Sequence, residues 1–450
     1  MTAGLGSSRV ASRWLVLVAC VVAMLAVANL QYTWTLFTKP LVDDLGVSLT
    51  RIQWAFSIFV IAQTALFPFT SYLVDRLGPR IVVTVASVLV ATGWVGAGAA
   101  GLAKSLFWLY AASALGGIGV GAVYGACVGA GMKWFPDRRG LCVGCVAGSY
   151  GFGAALAAFP INNTIKAMSY HTAFIFWGAL LGIVVLIAAQ FLSMPPEGWF
   201  PAGWEVVKHK VQKKVQQSWR DSTPLEMLKS TPFYLLYLMM TLVTFSGLML
   251  TAQLAPIGKQ YGLDSYVLVG SGTVLTLVIN QVLNGSARPF FGWVSDHIGR
   301  YDTMAITFSL GAIAITALTL LVQKPIWFVI TCGLTFFAWG DIYSLFPSAI
   351  ADLFGSKHAT TNYGIQYTAK GVGSVLAGPC AVWLSVKYDS WLPVFWLAVA
   401  CNVAAAVLAL FWLKPLITRR LKGQGSPAPP NSGGASTSAS AQSARSAAAN

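Results

Sequence analysis

Twelve mostly apolar stretches recur along the 450-residue chain, at 14–37, 52–73, 81–102, 106–131, 141–165, 171–194, 232–253, 267–292, 302–322, 326–349, 361–385 and 391–414. Each is long enough to cross a bilayer as a helix, which takes about 20 such residues. In hydrocarbon every backbone N–H and C=O needs an internal partner, so long continuous runs read as helices. A barrel would show alternating runs of about ten residues instead. Only 10% of the residues are charged, against about 25% in an ordinary soluble domain. So little charge cannot coat a water-soluble globule, which excludes a soluble enzyme and a disordered chain. The expected fold is all-α: twelve transmembrane helices in two six-helix halves.

The net charge of +15 would suggest nucleic acid in a soluble protein. Here the basic residues sit in short loops and report topology. Twenty of the 29 Lys and Arg fall on the side of the termini, seven on the other side, and Arg288 and Lys370 inside spans. The positive-inside bias therefore places both termini in the cytoplasm of an inner or plasma membrane protein. Residues 1–13 form the N-terminus, 14–194 the first half, 195–231 a charged cytoplasmic linker, 232–414 the second half and 415–450 a disordered tail. Val206 to Gln217 reads as a short surface helix within the linker. Ala26-Val27-Ala28 resembles a signal-peptidase site, but the apolar run continues to Phe37, and cleavage would leave an odd number of spans.

No metal or cofactor is expected. The seven cysteines lie in or at the ends of spans, including Cys142 and Cys145 at the start of one, and read as free thiols packed like small apolar side chains. The four histidines lie at span ends or in loops. No nucleophile–base pair, metal cluster or phosphate loop appears.

The two halves repeat. Asp75 after span 2 and Asp296 after span 8 are 221 residues apart; Phe135 and Phe354 are separated by 219; Tyr150-Gly151-Phe152-Gly153 and Lys370-Gly371-Val372-Gly373 by 220. Such internal repeats are common in secondary transporters. The loops that follow spans 2 and 8 read as charged clasps, with Asp75, Arg76, Asp296 and Arg300 as gating residues. An aspartate there can pair with arginines and with the positive N-terminus of a helix. Gly117, Gly121, Gly125 and Gly129 recur every four residues in span 4, a spacing that lets a neighbouring helix approach closely.

A charge within a span costs on the order of 2.5–3.5 kcal/mol on insertion scales, so it defaults to function. Arg288, Lys370 and Asp341 qualify. Two buried cations suit an anion, Arg by bidentate contact and Lys as a point charge. The alternative is that one of them snorkels to the interface or pairs structurally with Asp341. Polar-tipped aromatics surround them: Gln31 and Tyr32 in span 1, Tyr124 in span 4, Tyr150 in span 5, Trp339 and Tyr343 in span 10, and Tyr367 three residues before Lys370. Tyr124 matches Tyr343 and Tyr150 matches Lys370 at the repeat offset. The box is small, aromatic-walled and cationic, and suits a small organic anion. Asp341 lies roughly 200° around the helix from Trp339 and Tyr343, at about 100° per residue. It reads as a structural pair or protonated acid behind the wall, or as a proton-coupling group.

The second loop, Gly292, Asp296, Gly299 and Arg300 with His297 in the basic slot, resembles the hallmark motif of the major facilitator superfamily. The first copy departs from it at Ser71 and at Arg80, which Pro79 displaces. Within that superfamily the chain is similar to the oxalate:formate antiporter family. The matching stretches are Gln31-Tyr32-Thr33-Trp34-Thr35-Leu36, Val123-Tyr124-Gly125, Trp134-Phe135-Pro136-Asp137-Arg138-Arg139-Gly140, Asn284-Gly285 with Arg288-Pro289-Phe290, Ala338-Trp339-Gly340 with Tyr343 and Leu345-Phe346-Pro347, and Asn362-Tyr363-Gly364 with Ala369-Lys370. The resemblance implies that Arg288 and Lys370 bind a dicarboxylate while Gln31, Tyr32, Tyr124, Tyr150, Trp339 and Tyr343 wall the site; the chain is expected to work as a monomer in the lipid bilayer. Tyr367 stands where it implies a tryptophan, and Asp341 where it implies a glycine. The expected activity is exchange of small carboxylates by alternating access, with proton-coupled monocarboxylate uptake and a non-transporting anion sensor as rivals.

Overall fold

The computed structural model describes residues 12–196, 199–201, 221–260 and 272–423. The expected surface helix at Val206 to Gln217, the first eleven residues and the tail from 424 lie outside the described residues, as does the start of span 8. Ten described helices are long and apolar enough to cross a membrane, and the pair Leu49–Ala65 and Phe67–Leu77, bent by 45°, adds an eleventh. Gly272–Ile298 is the described part of the remaining span. The described residues hold no strand.

In chain order the spans are Arg13–Leu45, the bent pair just named, Pro79–Leu102, Leu106–Trp134, Arg139–Ala167 and Tyr170–Ala189, then Thr231–Gln260, Gly272–Ile298, Arg300–Leu321, Pro325–Gly340 with Ile342–Phe354, Ala359–Tyr388, and Leu392–Val407 continuing to Gly423. Span 12 thus runs nine residues past its expected end at 414, through Lys414–Gly423. Contacts that hold this extension include Lys414 Nζ donating to Asp302 at 2.6 Å, the Arg420 guanidinium 5.7 Å from the Phe354 ring centroid and the fully buried Ile417.

Local chemistry explains where helices stop and bend. Gly78 and Gly299, the glycines of the two repeated loops, have φ of +85° and +104°, a region in which a Cβ is strained. Each ends one span and starts the next, so the repeat preserves a turn as well as a charge. Span 1 breaks after Val27. There the Asn29 amide donates to the carbonyls of Leu25 and Ala26 at 3.1 and 3.2 Å, and the Thr33 hydroxyl to that of Asn29 at 2.6 Å. Side chains that compete for backbone acceptors bend helices.

Spans 2, 3, 4 and 6 pack together in the first half, and spans 7, 9, 10, 11 and 12 in the second. The halves meet mainly along spans 5 and 8 and along spans 2 and 11. The first of these seams is lined by small residues: a Cβ on Gly148 would lie 2.7 Å from the Gly285 carbonyl oxygen, and one on Gly285 would lie 3.0 Å from that of Gly148. The end of the central linker is fastened to the loop between spans 10 and 11. Asp221 accepts the Lys357 N–H at 3.0 Å, Ser222 N–H donates to the Phe354 carbonyl at 2.8 Å, and the Asn362 amide donates to the Ser222 carbonyl at 3.1 Å.

A side chain at position 148 has no room while the seam stays closed. Gly148→Leu is expected to destabilise the protein by about 1–3 kcal/mol, the usual cost of overpacking, measured as a lower melting temperature in detergent. An unchanged melting temperature would show that the seam is looser than its backbone contacts.

Candidate functional site

The break in span 1 sets Gln31 and Tyr32 on a short segment, Asn29–Tyr32, beside span 5. Tyr150 donates its hydroxyl proton to Gln31 Oε1 at 2.8 Å, and the Tyr32 ring meets the Tyr150 ring edge-on at 5.3 Å. From there the aromatics run in series. Tyr150 meets Tyr124 at 5.5 Å, Tyr124 meets Tyr367 at 5.4 Å, Tyr367 meets Tyr343 at 6.5 Å, and Tyr343 meets Trp339 at 5.9 Å. All seven predicted wall residues therefore fall in one cluster at the junction of the halves. Trp339 is anchored by donating its indole N–H to the Val243 carbonyl at 3.2 Å.

The two cations sit against this wall on opposite spans. The Arg288 guanidinium lies 4.5 Å from the centroid of the Tyr343 ring and the Lys370 ammonium 5.6 Å from it. Both side chains are buried, at 1% and 5% exposure. Their partners are neutral. Arg288 donates to the Ala147 carbonyl at 2.5 Å and to Asn284 Oδ1 at 2.6 Å, and its Nε finds no partner. Lys370 donates to the Tyr367 hydroxyl at 2.9 Å and lies 5.0 Å from that ring. Among the described residues neither cation forms an ion pair. Cation–π contacts and carbonyls soften a buried charge without cancelling it.

Asp341 does not supply the missing anion, so pairing with Arg288 or Lys370 is not what the structure shows. The carboxyl is fully buried at the break between the two helices of span 10. The Thr307 hydroxyl lies 2.5 Å from Oδ2, and Oδ1 has no partner among the described residues. The carboxyl thus faces span 9, behind the wall formed by Trp339 and Tyr343. The partner is a hydroxyl rather than a base.

Both loop aspartates clasp the opposite half. Asp75 accepts the Thr361 N–H at 2.8 Å and its hydroxyl at 2.6 Å, in the first turn of span 11. Asp296 accepts the N–H groups of Gly140 and Leu141, both at 2.9 Å, in the first turn of span 5. Each carboxylate thus caps a helix N-terminus across the seam, where unpaired N–H groups and the helix dipole favour negative charge. Arg300 donates to Asp296 at 2.6 Å and to Asp352 at 2.8 Å. Arg76 does not join the clasp as expected: it is exposed and reaches only the Tyr72 hydroxyl, 3.3 Å away. Lys133 takes its place, donating to Asp75 at 2.7 Å and to the Lys357 carbonyl at 3.2 Å.

Sequence reasoning missed several participants. Arg139 pairs with Asp352 across the halves and donates to the Ser356 hydroxyl at 2.8 Å; the sequence count treated it as a topology charge. Asn284, which holds Arg288, appeared only within a family stretch, although it stands one helical turn before the arginine. Gln63 of span 2 is buried at 1% exposure beside Tyr150; a polar residue in an apolar run was the available signal.

A family model described as Major Facilitator Superfamily matches residues 18–340 and 271–446. Among curated proteins, the oxalate:formate antiporter of Oxalobacter formigenes is 32% identical over 409 residues, covering 91% of this chain and 93% of that one. Monocarboxylate transporter 1 of Rattus norvegicus is 22% identical, covering 84% and 79%. Among solved structures, a proton:xylose symporter bound to 6-bromo-6-deoxy-D-glucose aligns with a TM-score of 0.69 at 14% identity, covering 89% of this chain and 96% of that one.

Clasp strength is open to direct measurement. Cys142 is buried at 3% exposure, two residues after Gly140, whose N–H donates to Asp296. Asp296→Asn removes the charge from two hydrogen bonds to the helix terminus, a loss that corresponds to roughly a tenfold population shift. Alkylation of Cys142, read by mass spectrometry, is expected to accelerate by about that factor. An unchanged rate would show that the clasp does not hold the halves together.

Proposed function

We propose that this chain, which belongs to the Major Facilitator Superfamily, exchanges small carboxylates across a membrane, oxalate for formate or a similar anion, by alternating access around Arg288 and Lys370. The observation that carries this reading is the pair of buried cations flanking Tyr343 with neutral partners only. A small dicarboxylate entering between them brings two negative charges to two positive ones. The bidentate geometry of Arg suits one carboxylate edge, and Lys adds a mobile point charge. The 32% identity to an oxalate:formate antiporter supports the substrate class. The carrier works as a monomer, with both termini and the clasps on the cytoplasmic side, as the distribution of basic residues indicates.

The coupling follows from electrostatics. The two charges lie 4.5 and 5.6 Å from one ring centroid and so no more than about 10 Å apart, where like charges repel by at least on the order of 1–2 kcal/mol at an effective dielectric near 20, and each also loses hydration when the halves close. An empty carrier therefore resists passing through the sealed state. A bound anion offsets both costs, so the halves rock only when loaded, and transport becomes exchange. Arg288 lies in span 8 and hydrogen-bonds the Ala147 carbonyl of span 5, so a change in its charge environment acts at the seam between the halves.

A second reading, proton-coupled monocarboxylate transport, has one observation in its favour: the buried, half-satisfied carboxyl of Asp341. Its partner is the Thr307 hydroxyl of span 9, not a base or a cation, which argues for a packing role rather than a relay.

Radiolabelled oxalate uptake into proteoliposomes at matched pH tests both readings. Exchange requires a carboxylate inside the vesicle. Arg288→Gln with Lys370→Gln should lower uptake at least about 100-fold, since each substitution removes a charge-assisted contact. Asp341→Asn should retain exchange within about threefold, a factor worth less than one hydrogen bond. Uptake into buffer-filled vesicles driven by an inward proton gradient and lost in Asp341→Asn would overturn the exchange reading in favour of the second.

A further inference from the structure

The repeat that pairs Asp75 with Asp296 also pairs Gln63 with Asn284 and Phe67 with Arg288, all at an offset of 221. In the second half the pair forms a unit: Asn284 Oδ1 accepts from the Arg288 guanidinium at 2.6 Å. In the first half the arginine position is Phe67, which stacks on Tyr367 at 4.2 Å and asks nothing of an amide. Gln63 therefore keeps the site of a positioning amide without the group to be positioned.

Its surroundings place it in the pocket. Span 4 walls it on one side: a Cβ on Gly121 would lie 2.8 Å from the Gln63 carbonyl oxygen and 3.4 Å from its Cγ. The next residue, Thr64, abuts span 11 at Gly371, where a Cβ would lie 2.7 Å from the Thr64 hydroxyl. Spans 2 and 11 run antiparallel, with Ser71 against Gly364 and Thr64 against Gly371, so Gln63 stands about two residues, roughly 3 Å, from the level of Lys370. Tyr150 lies beside it but gives its proton to Gln31. Within 3.5 Å neither Gln63 Nε2 nor Oε1 has a hydrogen-bond partner among the described residues; the Tyr150 hydroxyl faces the amide at a longer distance. Buried polar side chains are nearly always paired, by protein or by ordered water, and a polar ligand can take the place of such a water.

We infer that Gln63 is a substrate-contacting residue, donating its amide N–H to the second carboxylate of a dicarboxylate whose first carboxylate is held by Arg288 and Lys370. The inference rests on the anion-exchange reading and extends it. The pocket is charged on the side of the second half and neutral on the side of the first. A carboxylate oxygen only accepts, so the neutral end must offer donors, and the Gln63 amide offers two. A monocarboxylate fills the charged end and does not reach Gln63. Gln63 therefore sets the preference for dicarboxylates over monocarboxylates.

The test is exchange kinetics of oxalate and of formate in proteoliposomes for wild type, Gln63→Met and Gln63→Glu. Met keeps the shape and removes the donors. The apparent KM for oxalate should rise about 10- to 100-fold, as for loss of one hydrogen bond to a charged group, while that for formate changes by less than about threefold. Gln63→Glu keeps the size and adds a like charge, so its oxalate KM should exceed that of the Met variant; it carries the test alone if Gln63→Met does not fold. Equal losses for both anions, or unaltered oxalate kinetics, would overturn the assignment while leaving anion exchange in place. A wild-type protein that exchanges neither anion would overturn both.

Discussion

Two positive charges buried at the meeting line of two helical bundles, held among the described residues by a carbonyl, an amide, a hydroxyl and ring faces, set the terms for the rest of this structure. Such a centre is tolerable only where the surrounding frame is rigid and the charge has a use. The frame is supplied by the close seam of spans 5 and 8, where helix backbones touch through glycine. That contact brings the Ala147 carbonyl within reach of Arg288. Removing the small residues would separate the spans and take away the arginine's principal acceptor.

The clasps solve the complementary problem of holding the halves shut by means that can be undone. Asp75 and Asp296 are bound by backbone N–H groups, the Thr361 hydroxyl and the bases Lys133 and Arg300 rather than by a dry apolar surface. Polar contacts of this kind exchange readily for water. The second-half clasp is the heavier one. It adds Asp352, which is fully buried between Arg139 and Arg300, whereas Asp75 relies on Lys133. The repeat is therefore symmetric in backbone and asymmetric in charge.

Much of this was legible in the sequence. The twelve spans follow from apolar run length, and the aspartate clasps from the repeated loop, because run length and repeat offset are local properties of the chain. Pairing across the halves is not local. Arg76 is next to Asp75 in sequence but points outward, while Lys133, 58 positions later, arrives by the packing of span 4. Asp341 could be placed behind the wall by helical geometry, yet its hydroxyl partner on span 9 could not be known without the fold. The cluster of aromatics was legible as a composition, but its serial order from Tyr150 to Trp339 depends on the break in span 1 and on the way span 10 restarts after Asp341.

The anchoring of the linker end has a mechanical consequence. Asp221 and Ser222 are tied to Lys357, Phe354 and Asn362, all within the second half. The same short loop presents Thr361, the Lys357 carbonyl and Ser356 to the first half. Under the alternating-access reading proposed above, release of the clasps would leave the linker bonds intact, and these bonds would brace the loop against its own half. The loop would then travel as a stiff lever rather than a slack thread, and its partners would meet it in the same register at each return.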